Sequence, residues 1–141
     1  MSKHYLDFDD EDLDIHIIGI ACHLNNYRMC WTLNTALDLI LVKSEEPYTF
    51  WPGKSFQSEH PMFVGRNEFW KTNLFLIQNR GKQSSLLLPE YKEAHYLLIS
   101  KNPKEEYSKE IQQLLNKQTL ILTAFRINPN GLKSKANLIF E

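Results

Sequence analysis

The sequence predicts an α+β domain, with an antiparallel or mixed sheet of about five or six strands and two main helices packed on it. Three observations carry that prediction. Short runs of β-branched and large apolar residues recur along the chain, which is strand composition. Tight-turn clusters separate several of these runs, so that sequence neighbours pair antiparallel rather than through long crossovers. One later segment instead repeats its apolar residues at helical spacing.

Taken in order, Ile15, Ile17, Ile18 and Ile20 form a short first strand, broken by Gly19. A helix follows from about Asn25 to Leu37, capped by Asn25 or Asn26, with Tyr27, Trp31, Leu33, Asn34 and Leu37 at near-helical spacings. Leu39-Ile40-Leu41-Val42 is a short run of strand type. From Ser44 to Pro61 the pattern loosens, punctuated by Pro47, Pro52, Gly53 and Pro61. Met62-Phe63-Val64 and Phe69 to Gln78 then pair as strands around a turn at Gly65-Arg66-Asn67-Glu68. Phe75 and Ile77 lie on one face of the second strand, Leu74 and Leu76 on the other. Such a strand is central and covered on both sides over its second half. Asn79-Arg80-Gly81-Lys82 is a turn, and Ser84 to Leu88 a short strand stopped by Pro89. Ala94 to Ser100 is the next strand. The clearest helix has Asn102 as N-cap, Pro103 in the first position and Glu105 and Glu106 at the positive end of the dipole. Its stripe is Tyr107, Ile111, Leu114 and Leu115. Thr119 to Ile127 is a strand, and Asn128-Pro129-Asn130-Gly131 turns the chain. The end, Leu138-Ile139-Phe140, reads either as a last core strand or as a segment docking on a partner.

The chain of 141 residues is read as a single domain, 1–141, in which 1–13 is an acidic lead-in. A hydrophobic share of 43% with 23% charged residues is that of a packed globular core. The net charge of -1 argues against a general nucleic-acid binder, which needs a basic excess to displace phosphate counterions. No apolar run approaches the ~20 residues of a membrane span. Met1-Ser2-Lys3-His4 leads into Asp7, Asp9, Asp10, Glu11, Asp12 and Asp14 without a signal-type apolar stretch. Cys22 and Cys30 form neither a CxxC motif nor a disulfide framework, which fits reduced thiols in a cytoplasmic protein.

Leu88-Pro89-Glu90-Tyr91-Lys92-Glu93-Ala94-His95-Tyr96 resembles the defining stretch of the IPExxxVDY family, a bacterial family whose function is not known. The resemblance extends to Tyr27-Arg28-Met29-Cys30-Trp31-Thr32-Leu33-Asn34, to Phe75-Leu76-Ile77-Gln78-Asn79, to Leu122-Thr123-Ala124-Phe125 and to the stretch from Leu132 to Phe140. It implies a shared fold and no particular activity. The motif departs in Leu88 for Ile, Ala94 for Val and His95 for Asp, and the last removes a carboxylate from any catalytic role there. On the residues themselves the motif reads as structural. Pro89 ends a strand, Glu90 bonds backbone donors in the turn, and Ala94 and Tyr96 re-enter the sheet on one face. The alternative makes Glu90 a base or a ligand.

Tyr27, Arg28, Trp31 and Asn34 are the most suggestive surface group, with Tyr27 and Trp31 neighbours at i, i+4 and Arg28 within reach of Trp31. Exposed, they grip an anionic ligand or a protein partner. Otherwise Tyr27 and Trp31 belong to the core or its edge, with Arg28 lying along them. His16, Cys22, His23 and Cys30 lack the compact spacing of zinc ligands, and Asp10, Asp12 and Asp14 lack the Gly and distal Glu of a calcium loop. Neither a nucleophile elbow nor a phosphate-cradling glycine loop occurs, so no metal, no cofactor and no catalytic residue is assigned. The expectation is a non-enzymatic cytoplasmic binding or protein-interaction domain, with a protein partner or a homodimer and without nucleic acid or membrane. Its rival is a small enzyme or anionic-ligand-binding domain that gathers Arg28, Glu90 and His23 or His95 into one cleft.

Overall fold

The computed structural model describes residues 15–53, 55–101 and 104–138. Among the described residues, eight strands and two α-helices follow one another as β1 (Ile15–Cys22), α1 (Asn26–Leu37), β2 (Val42–Lys43), β3 (Tyr48–Phe50), β4 (Ser58–His60), β5 (Met62–Asn67), β6 (Thr72–Gln78), β7 (Tyr96–Lys101), α2 (Glu105–Asn116) and β8 (Ile121–Ile127). Six strands form one sheet in the order β2-β5-β6-β7-β1-β8, and β3 pairs with β4 separately. Every pairing is antiparallel, so the sheet is antiparallel rather than mixed. The α+β class holds.

Alternation along the strands divides the core in two. Ile18, Ile20, Leu74, Leu76 and Leu98 face α1 and α2, and meet Met29, Leu33 and Leu37 from the first helix and Tyr107, Ile111 and Leu115 from the second. Ile15, Ile17, Ile77, Leu97 and Ile99 face the other way, onto Tyr48 and Phe50 of β3, Leu87, Leu88 and Leu138. The predicted two-sided burial of β6 is therefore observed. Its second layer is a hairpin with loops rather than helices.

Asn25 caps α1, accepting from the Arg28 amide at 2.9 Å. The face that α1 buries is Met29, Thr32, Leu33 and Leu37, a helical stripe that leaves Tyr27 and Trp31 outside. In α2 the expected stripe is buried at Tyr107, Ile111 and Leu115, with Leu114 packed at its edge. Glu105 and Glu106 occupy the first turn as expected, while the cap position is Lys104; Asn102 and Pro103 lie outside the described residues. The same holds for the acidic lead-in and for Ile139 and Phe140. Leu138 is buried after a 3-10 turn at Lys135–Asn137. Among the described residues no helix is long and apolar enough to cross a membrane.

Several boundaries differ from the sequence reading. The turn after β5 is 68–71, not Gly65–Glu68. Gly65 lies within the strand, where a Cβ would stand 3.0 Å from the Ile40 carbonyl oxygen, so its smallness admits the neighbouring segment. Asn67 makes the turn instead, accepting from the Trp70 amide at 2.8 Å and donating to the Leu37 carbonyl at 3.0 Å. β1 runs unbroken through Gly19. Only Val42 of the run 39–42 is in a strand, and the irregular stretch 44–61 contains β3 and β4. Ser84 to Leu88 is not a strand. It makes a single bridge, Arg80 to Leu86, and buries Leu87 and Leu88 side by side, which alternation forbids. Ala94 and Tyr96 fall on opposite sides of the sheet, because β7 starts only at Tyr96 and the chain bends at His95.

Candidate functional site

β1 and β7 pair antiparallel, so the end of one lies beside the start of the other, with Ile20 opposite Tyr96. His95 precedes the strand yet stays tied to the sheet: its amide donates to the Ile20 carbonyl at 2.8 Å, and its carbonyl accepts from the Asn79 amide at 3.0 Å. Its ring turns back along β1, and Nδ1 accepts from the Cys22 amide at 3.2 Å. His23, the next residue along, brings its ring centroid to 5.9 Å from that of His95. The chain then enters α1. Tyr96 Oη lies 3.0 Å from the Leu24 carbonyl oxygen and 2.8 Å from Asn26 Oδ1, which fixes the start of the helix over the sheet.

The third wall comes from the chain after β6. Gln78 Nε2 donates to the Arg80 carbonyl at 2.8 Å, and Arg80 Nη1 to the Ser84 carbonyl at 2.8 Å. Asn79 between them is fully buried. Its Oδ1 accepts from the Leu88 amide at 2.8 Å, and its Nδ2 donates to the carbonyls of Tyr91 at 3.0 Å and Ala94 at 2.9 Å. One amide thus folds the whole segment 88–94 against the sheet, saturating backbone groups that have no strand partner. Lys92 and His95 are carried into place by that segment.

These three segments enclose an open cleft of about 540 Å3, the range of small-molecule sites. Arg80, Lys92, His23 and His95 line it together with Asn25, Asn26 and Gln78, and no acidic side chain does so among the described residues. The first-turn amides of α1 open beside it, and that turn holds no acid. Fixed positive charge, amide donors and imidazoles converge without a compensating carboxylate. In charge and donor type such a surface is complementary to an anion.

A second concavity, of about 350 Å3, lies at the other end of β1 between His16, Glu105, Ser108, Arg126 and Asn128. There Arg126 is already ion-paired with Glu105, which also lies 3.9 Å from His16 Nε2. The guanidinium there is answered within the fold.

Of the residues singled out in the sequence, Tyr27, Arg28, Trp31, Asn34 and Glu90 are placed apart from the cleft. Glu90 is exposed on a 3-10 turn at Pro89–Tyr91 and accepts from Ser134 Oγ at 2.6 Å and the Ser134 amide at 2.9 Å. Partial burial alone would raise its pKa, but these bonds and backbone donors at Glu90 and Lys133 hold the carboxyl below its ordinary range. It clasps the motif to the C-terminal segment. Asn34 is also bound within the fold, Oδ1 accepting from the Leu41 amide at 2.8 Å. Arg28 is exposed on α1, beside Tyr27 at 78% and Trp31 at 57% exposure, which is neither core nor core edge. Neither Arg28 nor Glu90 lines the cleft, whereas His23 and His95 both do. Cys30 is half-buried, and burial pushes its thiol up to about 11, far from a reactive thiolate. Among the described residues no three His, Cys, Asp or Glu side chains gather as metal ligands.

Arg80 and Lys92 escaped the sequence reading because each sits in a segment read as a turn. Their signal was a basic residue just after or just before a central strand, which gains meaning only once β6 and β7 are known to be neighbours. The stretch Leu88–Tyr96 that carries the family resemblance supplies Lys92, Ala94, His95 and Tyr96 to the cleft. Set against known protein families, curated proteins and solved structures, the chain matches none.

Proposed function

We propose that this is a non-enzymatic cytoplasmic binding domain whose cleft between β1, β7 and the start of α1 holds a small anionic molecule. The observation that carries the reading is the lining: Arg80, Lys92 and two histidines face one cavity, and no acidic side chain lines it among the described residues. A cationic site on a chain of net charge -1 is local, which favours a small ligand over the long backbone of a nucleic acid. The two free thiols, Cys22 and Cys30, fit a reducing compartment.

Isothermal titration with inorganic phosphate tests the proposal. Saturable binding to the native chain is expected, weakened about tenfold or more by Arg80→Gln or Lys92→Gln with the fold intact, as each removes one charge-assisted contact. Binding unchanged in both variants would remove the cleft from consideration. A second reading, docking of a protein partner or a second copy through α1, is favoured by the outward rings of Tyr27 and Trp31. Sedimentation at high concentration separates the two: a native dimer that Trp31→Ala returns to monomer supports docking, and a strict monomer removes self-association.

A further inference from the structure

Within that anion-binding reading, on which it rests, we infer that His95 is the residue that sets the ligand class, acting as a fixed hydrogen-bond donor to a phosphoryl group. The Cys22 amide points its hydrogen at Nδ1 across 3.2 Å, so that nitrogen presents a lone pair. In the neutral ring the proton therefore sits on Nε2. His95 is exposed and lines the cleft, so what it offers there is an N–H. The backbone bond does for the ring what a carboxylate or carbonyl does in other sites: it fixes the tautomer from behind.

Donors then reach the cavity from three chain segments: Arg80 after β6, Lys92 and His95 before β7, and the first turn of α1. A carboxylate offers two oxygens in one plane. A phosphoryl group offers three around a tetrahedron, which suits donors arriving from separate walls. The ligand class is therefore a phosphate monoester or orthophosphate.

Position 95 also explains how the resembled motif and this chain differ. An Asp there would accept the same Cys22 amide bond through one oxygen while turning its second oxygen, and its charge, toward the cleft. The backbone cap would survive and the anion preference would not.

That contrast gives the experiment. His95→Asn and His95→Asp have the same shape, and both accept from the Cys22 amide; one then shows the cleft an N–H, the other a negative oxygen. Titrations of the native chain and both variants use orthophosphate, methyl phosphate and acetate, after thermal melts establish that the variants fold alike. Orthophosphate and methyl phosphate should bind the native chain more tightly than acetate. His95→Asn should stay within about tenfold of native, and His95→Asp should bind at least ~100-fold more weakly than His95→Asn, since like charges face each other. Equal phosphate affinity in the two variants would overturn the role of His95 while leaving the cleft standing, and acetate binding as tightly as phosphate would overturn the ligand class. No binding of any anion by the native chain would remove the cleft reading itself. Long-range ¹⁵N–¹H spectra of the imidazole supply an independent check: a neutral ring with its proton on Nε2 is expected, and one carrying it on Nδ1 contradicts the geometry.

Discussion

The two faces of the sheet are held by different physics. Under α1 and α2 the helices are placed by stripes of Met, Leu, Ile and Tyr, with Thr32 and Ser108 as the buried polar residues of the two helices. On the opposite face the covering chain is a short hairpin, loops and 3-10 turns, and buried polar side chains organise it. Asn79 ties down the segment 88–94. His60, buried on β4, shares a hydrogen at 2.8 Å with Ser58 Oγ and, through Nδ1, bonds the Gln78 carbonyl at 2.8 Å. Since that carbonyl only accepts, Nδ1 carries the proton and Nε2 receives the Ser58 hydroxyl. Asn137 Nδ2 donates to the Leu87 carbonyl at 3.0 Å, and the Tyr48 hydroxyl to the Asn137 carbonyl. Gly81 lies so close over this group that a Cβ would come within 2.9 Å of His60 Nε2. An apolar layer tolerates any filling of the right volume, whereas a polar layer tolerates only the right donors and acceptors.

Swaps of similar size expose that difference most sharply. Asn79→Leu should destabilise the protein by about 4 kcal/mol, because several buried backbone groups lose partners at about 1–3 kcal/mol each. On the helix face Leu33→Met should cost less than about 1.5 kcal/mol. Urea unfolding of both variants checks the pair, and near-equal losses would dissolve the distinction.

The same contrast decides what the sequence revealed. Periodicity located both helices and the central strands, since burial there follows apolar character. It missed β3, whose buried Tyr48 and Phe50 stand between Pro47 and Pro52, and β4, whose buried Ser58 and His60 are of loop-like composition; it read 84–88 as a strand because Leu86, Leu87 and Leu88 are consecutive apolar residues. Asn79 looked like a turn residue, and indeed it shapes a bend, but from inside the core. Tyr27 and Trp31 were open to two readings because both faces of α1 carry large apolar side chains. The cleft was illegible for another reason: Arg80, Lys92, His23 and His95 have no common spacing and meet only through the order β6-β7-β1.

A smaller effect concerns acid. Burial lowers the pKa of His60, partly offset by backbone bonds at Gln78 and Asn79, so the folded state takes up its proton less readily than the unfolded chain. Stability is then full above the ordinary value of 6.5 and is lost as pH falls below it toward the folded value. Urea midpoints should drop between about pH 7.5 and pH 5 in the native chain, and that drop should shrink in His60→Gln. An unaltered slope would show that the polar face does not carry the titration.

Smallest is the clasp at Glu90. Its lowered pKa stabilises the fold above its ordinary value of 4.5 and ceases to do so as pH falls through the folded value. The group is exposed, so Glu90→Gln should cost under about 1 kcal/mol near neutrality and nothing in strong acid. A double-mutant cycle with Ser134→Ala measures the coupling, and additive losses would deny the clasp.

The central claim is that the polar-stitched wall and the start of α1 together form an anion site. Amide ¹H–¹⁵N shifts followed during titration with orthophosphate test it most directly. Saturable changes should concentrate at Cys22, His23, Asn26, Arg80, Lys92 and His95. Changes confined to His16, Glu105 and Arg126 at the far end of β1, or no saturable change anywhere, would contradict it.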